Sequence, residues 1–137
     1  EEEVRSRATA LDLGDHVRFL GFRDDVASIL AAADLLVLSS DHEGLPVAVM
    51  EAFALGVPLV STAVGGIPEA VEHDRQGLLV PPQDPAALAA AVRTVCDDPN
   101  LRARLSDGAR ASSERFDAST AARRIEDVYR GVAAGRR

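Results

Sequence analysis

The sequence predicts an α/β fold, a parallel sheet with flanking helices, built as a single domain over residues 1–137. Three observations carry this. Short β-like apolar runs alternate with stretches of helical periodicity, the pattern of repeated strand–helix units. One run, DLLVLSS at 34–40, is apolar without alternation, as expected of a strand covered on both faces. The chain has 137 residues, 47% of them hydrophobic, which suffices for one core and not for two.

The elements follow in order. The opening EEEVRSRA is acidic and helical, unlike a secretory leader. VRFLG (17–21) reads as a short strand ending at Gly21. In DDVASILAAA, Val26, Ile29, Leu30 and Ala33 follow the i, i+3, i+4, i+7 stripe of a helix. The strand at 34–40 leads to a helix from Pro46 to about Leu55, stopped by Gly56. PLVSTAVGG (58–66) is a strand opening into a Gly-Gly turn, and IPEAVEH (67–73) a short helix. GLLVPP (77–82) is the last strand. Asp84 caps a helix begun by Pro85, with Leu88, Ala91, Val92 and Val95 on its apolar face. DDPN (97–100) is a turn whose Asn100 caps the next helix. The tail, about 117–133, carries Ala122, Ile125, Val128, Tyr129 and Val132 on one face of a final amphipathic helix.

Composition narrows the function. A formal charge of −7 argues against a phosphate-backbone surface, so no nucleic-acid partner is expected. The single cysteine, Cys96, excludes an internal disulfide, suits a reducing compartment, and reads as packing on an apolar helix face. The longest apolar runs fall well short of the roughly 20 residues of a membrane span.

The chemistry concentrates in DHEGLPVAVMEA (41–52). Its loop lies at the carboxyl edge of the sheet, where open α/β sheets bind ligands. It ends at a helix N-terminus, whose free N–H groups favour a phosphate. Gly44 permits close approach to the backbone. Glu43 suits the hydroxyls of a neutral sugar better than a phosphate. Glu51 lies about five residues into the helix, roughly 7.5 Å along its axis, in an otherwise apolar run that suggests burial. Its side chain leans back toward the same crevice and can accept hydrogen bonds from two adjacent hydroxyls, as on a ribose. Together they outline a nucleotide sugar. Taken singly, Glu43 reads equally as a solvated loop residue and Glu51 as a residue of the helix's polar side. A glycosidase acid/base pair is disfavoured, since both carboxylates come from one short segment and would not flank a bond. His42 reads as a loop residue, and no compact metal-ligand spacing recurs.

The ordered set in SSDHEGLPVAVMEAFALGVPLVSTAVGGIPEAVEHDRQGLLVPPQDP resembles the donor-binding half of retaining family 4 glycosyltransferases with the GT-B fold. The likeness rests on Glu43 and Glu51 with seven residues between them, EAFALGVPLV, the GGIPE turn and the GLLVPPQDP exit. It extends upstream through VRFLGFRDDVASILAAADLLVLSS and downstream through LAAAVRTVCDDPNLRARL.

The resemblance implies a Rossmann-like sheet forming part of the GT-B C-terminal domain. It implies that Glu51 binds the nucleotide ribose and that Glu43 contacts the transferred sugar at the reacting centre. Backbone N–H groups of Gly44 and Leu45 would hold the donor sugar or diphosphate. Gly21, Phe22 and Arg23 would lie by the base, although Arg23 also reads as a surface residue. The Gly65-Gly66 turn borders the cleft, by structure or by contact. The implied chemistry is transfer of a sugar from a UDP- or GDP-linked donor to an acceptor hydroxyl with retention, without a metal or other cofactor, in the cytoplasm or at the inner face of the membrane. The acceptor, a glycan, lipid or small molecule, would be held by an N-terminal domain that this sequence lacks. Two strand–helix units bearing the phosphate loop are also missing, between VRFLG and DLLVLSS in the family's sheet. The sequence therefore reads as a fragment, inactive alone, whose last helix would show an apolar stripe or self-associate. The alternative is a non-catalytic interaction module completed by a partner chain. An unrelated nucleotide-binding domain is disfavoured: no G-x-G-x-x-G follows a strand, and no P-loop or lysine is present.

Overall fold

The computed structural model describes residues 2–135. Seven α-helices and three strands follow in the order α1 (Glu2–Ala10), α2 (Val26–Ala31), β1 (Leu36–Leu38), α3 (Val47–Leu55), β2 (Leu59–Thr62), α4 (Ile67–Ala70), β3 (Gly77–Val80), α5 (Pro85–Asp97), α6 (Pro99–Ser112) and α7 (Ala118–Ala133). A 3₁₀ turn, Ser113–Phe116, joins α6 to α7. The strands form one parallel sheet in the order β1-β2-β3, with Leu36 opposite Leu59 and Leu59 opposite Gly77.

Strand alternation builds a layer on each face of the sheet. Leu36, Leu38, Leu59 and Leu79 pack with Val49 and Phe53 of α3, Ile67 and Ala70 of α4, and Ala109 of α6. Leu35, Val60 and Leu78 turn the other way, onto Leu88, Ala91, Val92 and Val95 of α5 and Leu101 and Leu105 of α6. β2, the central strand, is buried along its whole length.

The helix ends follow local chemistry. Pro46 stands at the N-cap of α3 without a side-chain bond, and Gly56 closes that helix in the left-handed region (φ 73°). Asp84 caps α5, accepting from Ala87 N at 2.8 Å. Asp117 caps α7, accepting from Thr120 N at 2.9 Å.

Several expectations are corrected. VRFLG forms no strand; no strand stands beside it among the described residues, and a strand requires a ladder partner. Instead Phe19 lies under the Arg5 guanidinium, 4.3 Å from ring centroid to carbon. β1 is not covered on both faces: it is an edge strand, and Val37, with no helix over it, is 41% exposed. The helix expected over 67–73 stops after one turn at Ala70, since Val71 is extended and buried and the following turn is closed by Gln76 Oε1 accepting from Glu72 N at 2.7 Å. Asn100 does not cap α6; Asp98 does, accepting from Asn100 N at 2.9 Å and Leu101 N at 3.0 Å. Cys96 is exposed, because it sits about 100° round the helix from the centre of the apolar face of α5. The final helix has the expected unpartnered stripe: Ile125, Val128, Tyr129 and Val132 are all exposed. Among the described residues no helix is long and apolar enough to cross a membrane.

One ion pair ties the turn before β3 to α6. Arg104 donates to Asp74 Oδ1 at 2.8 Å and to its carbonyl oxygen, and holds the carboxyl below the usual carboxylate range. A lowered folded-state pKa stabilises the fold above the unfolded value of about 3.9, and that stabilisation is lost as pH falls through the lower folded value. Asp74→Asn, which keeps a side chain tolerant of its positive φ, will therefore lower the urea midpoint at pH 7. The difference from the wild type will shrink below about pH 4; a difference constant with pH would contradict the assignment.

Candidate functional site

Parallel pairing brings the carboxyl ends of β1 and β2 to the same edge of the sheet, and the loop after β1 is fastened there by the chain leaving β2. Thr62, the last residue of β2, donates its hydroxyl to Ser40 O at 2.6 Å. Ser40 in turn donates its hydroxyl to Glu43 Oε1 at 2.7 Å, so the half-buried Glu43 carboxylate is aimed rather than free. Gly66 N donates to Gly44 O at 2.9 Å. Gly65 has φ 55°, and a Cβ there would fall on the Glu43 carbonyl oxygen. The glycine turn is thus the seat on which the Glu43–Gly44–Leu45 loop rests.

That loop feeds α3. Val49, Ala52 and Phe53 point into the core, while Val47, Glu51 and Ala54 fall on the outer stripe, so the expected burial of Glu51 is not found: it is exposed. Its apolar neighbours in sequence belong to the opposite face of the helix. Glu51 lines a cavity of about 500 Å³ with Met50, Ala54, Ser113, Glu114, Phe116 and Asp117. The Thr120 backbone N–H holds the Asp117 carboxyl below the usual range. Among the described residues no group of three or more His, Cys, Asp and Glu is arranged to hold a metal ion.

Gly21, Phe22 and Arg23 form the turn before α2. Gly21 has φ 64° and Phe22 is 99% exposed. Arg23 is committed to Asp25, with Nε to Oδ1 at 2.6 Å, which raises the arginine and lowers the aspartate from their ordinary values. Ser40 and Thr62 were not singled out by sequence reasoning. Their signal was weak: one hydroxyl residue at the end of β2 and another two residues past β1, of a kind common near any strand end.

A sheet with its ligand-type loop at the carboxyl edge, running into a helix N-terminus, defines a class of α/β ligand-binding domain. The family model described as "Glycosyl transferases group 1" matches residues 1–112. The chain belongs to the group 1 glycosyl transferases. It is 34% identical over 129 residues to the D-inositol 3-phosphate glycosyltransferase of Corynebacterium kroppenstedtii, covering 93% of this chain and 29% of that one. It is 36% identical over 123 residues to the N-acetyl-alpha-D-glucosaminyl L-malate synthase of Bacillus anthracis, covering 89% of this chain and 32% of the relative. Anabaena HepE, solved in complex with UDP-glucose, superposes with a TM-score of 0.87 at 33% identity, over 95% of this chain and 36% of HepE. The chain thus spans about a third of these proteins and corresponds to part of one domain of a GT-B glycosyltransferase.

The seat under Glu43 can be tested directly. Gly65→Ala will cost about 1–3 kcal/mol in urea unfolding, since a methyl group enters a filled backbone contact. In amide spectra it will move Glu43, Gly44 and Leu45 more than the distant α5. Unmoved loop amides would show that the contact does not set the loop.

Proposed function

We propose that this chain is the donor-binding portion of a retaining glycosyltransferase, which transfers a sugar from a UDP- or GDP-linked donor to a hydroxyl of a glycan, lipid or small-molecule acceptor. The observation that carries this reading is the hydrogen-bonded, half-buried Glu43 at the sheet edge, one turn ahead of the uncapped start of α3, with Glu51 on the exposed side of the same helix. In this reading Glu43 addresses the transferred sugar, Gly44 and Leu45 present backbone N–H groups to the sugar or diphosphate, and Glu51 takes the ribose hydroxyls. Gly21, Phe22 and Arg23 flank the base. The uridine nucleotide is favoured by the UDP-glucose held by HepE.

Catalysis by such a site is a matter of placement. A carboxylate held by Ser40 is worth most where positive charge develops at the sugar carbon, in an oxocarbenium-like transition state attacked on the face the leaving group departs from. The helix start offers the leaving diphosphate unpaired N–H groups. The donor is the substrate and no further cofactor is invoked. The site of action is the cytoplasm, where nucleotide sugars are held. The acceptor site belongs to a further domain, and the chain alone binds donor without turning it over.

A second reading, an interaction module completed by a partner chain, is favoured by the exposed stripe of α7 and the uncovered Val37 of the edge strand. Calorimetry separates the two. UDP or GDP will bind the chain saturably, and Glu51→Ala will weaken that binding about tenfold or more, the cost of losing charged hydrogen bonds to ribose. A folded chain that binds neither nucleotide would sink the donor reading and leave the module.

Ser40→Ala isolates the role of Glu43. UDP affinity will be unchanged, while the extra affinity for UDP-glucose over UDP falls. Ser40→Thr, which keeps the hydroxyl, will restore it. Equal loss of both ligands would assign Ser40 to loop stability alone.

A further inference from the structure

A second cavity, of about 290 Å³, borders the glycine seat. It is lined by Leu45, Gly66, Glu69, Ala70, Arg115, Phe116 and Arg124. Two of its walls are thus the loop that carries Glu43 and the turn that supports it. The other wall is built by the 3₁₀ turn and α7.

The two arginines are held there by rooted elements. Arg115 adjoins Phe116, whose ring packs on buried Phe53 with centroids 6.3 Å apart. Arg124 lies two turns into α7, whose start is fixed by the Asp117 cap. Their neighbours are otherwise committed: Arg123 donates to Thr120 Oγ1 at 3.0 Å, and Arg130 pairs with Glu126 at 3.1 Å. Arg115 and Arg124 have no ion-pair or hydrogen-bond partner among the described residues. Glu69 is the carboxylate on the cavity wall, and it is not within ion-pair distance of either arginine among the described residues. With Glu69 ionised, the cavity still carries one net positive charge, in a protein whose formal charge is −7.

Two like charges sharing one cavity repel, and an anion between them removes that cost. Guanidinium forks match the oxygens of a phosphoryl group, to which each can donate two parallel bonds. Leu45, Ala70 and Phe116 complete the wall of a cavity that is open to solvent, so an anion can reach both guanidinium groups directly.

We propose that Arg115 and Arg124 form an anion subsite that takes a phosphoryl group of a ligand seated at the Glu43 loop. The placement of that ligand rests on the donor-binding reading; the subsite itself does not. The phosphoryl group has two sources, the donor's diphosphate or a phosphate on the acceptor.

The experiment follows the Nε–Hε signals of the two arginines in ¹H–¹⁵N spectra of the whole chain. Inorganic phosphate, titrated at constant ionic strength, will shift both signals saturably. Arg115→Gln with Arg124→Gln, both exposed sites that leave the thermal midpoint in place, will weaken phosphate binding about tenfold or more. Saturation with UDP then identifies the source. If UDP itself moves the arginine signals and phosphate no longer does, the subsite serves the donor diphosphate. If phosphate still binds in the presence of UDP, it serves an acceptor phosphate. Arginine signals that do not respond to phosphate, or respond equally to chloride, overturn the subsite. Failure of UDP to bind while phosphate still titrates the arginines would instead overturn the donor reading and leave the subsite standing.

Discussion

Everything at the sheet edge depends on there being no side chain at residue 65. The turn after β2 passes so close beneath the loop after β1 that a Cβ on Gly65 would clash with the Glu43 carbonyl oxygen. The contact is made rigid by two hydrogen bonds of different origin, Gly66 N to Gly44 O at 2.9 Å and Thr62 Oγ1 to Ser40 O at 2.6 Å. The loop therefore takes its shape from the neighbouring strand rather than from its own sequence. A polar loop of Ser, Asp, His, Glu and Gly would otherwise sample many conformations, each costing entropy to select on binding. Here that cost is met during folding, by the burial of β2 and the packing of Ile67 immediately after the turn.

The same geometry explains why the two glutamates differ. Glu43 is fixed by its backbone and by Ser40, so it suits a role in which direction matters. Glu51 is placed only by helical periodicity, on the outer stripe of α3, and is free to follow a ligand. A hydroxyl-binding group tolerates that freedom, whereas a group that stabilises charge at a reacting carbon does not. The proposed division of roles thus pairs an aimed carboxylate, Glu43, with an exposed one, Glu51.

Much of this was legible in the residues. Parallel strands at 34–40, 58–66 and 77–82 follow from apolar runs separated by helical stripes, and Asp84, Pro85 and Gly56 mark helix ends by chemistry that acts within a few residues. What was not legible depended on distant partners. VRFLG has the composition of a strand, but pairing is a property of two segments and nothing pairs with it among the described residues. The burial of Val37 depended in the same way on a neighbour beyond the edge. Asn100 lost the cap to Asp98 because Pro99 supplies the first helical position, which puts the capping residue before the proline. The sequence left Glu51 open between burial among apolar neighbours and the helix's polar side, because the deciding neighbours are three and four residues away. At the site, the glutamate spacing and the glycine turn were visible; the Ser40–Thr62 relay and the arginine cavity were not, since both join segments distant in the chain.

The distribution of uncovered apolar surface fits this division. β2 is buried along its whole length between its two flanking layers. The exposed apolar groups lie elsewhere: Val4, Leu11, Leu20 and Phe22 before β1, Val37 on its edge, and the outer stripe of α7. VRFLG, the edge strand and α7 are the places where the resemblance read in the sequence implies neighbouring elements. The seat of Glu43 is built from the loop after β1, the end of β2 and the glycine turn that follows, so its local geometry is set by contacts other than those of the exposed groups.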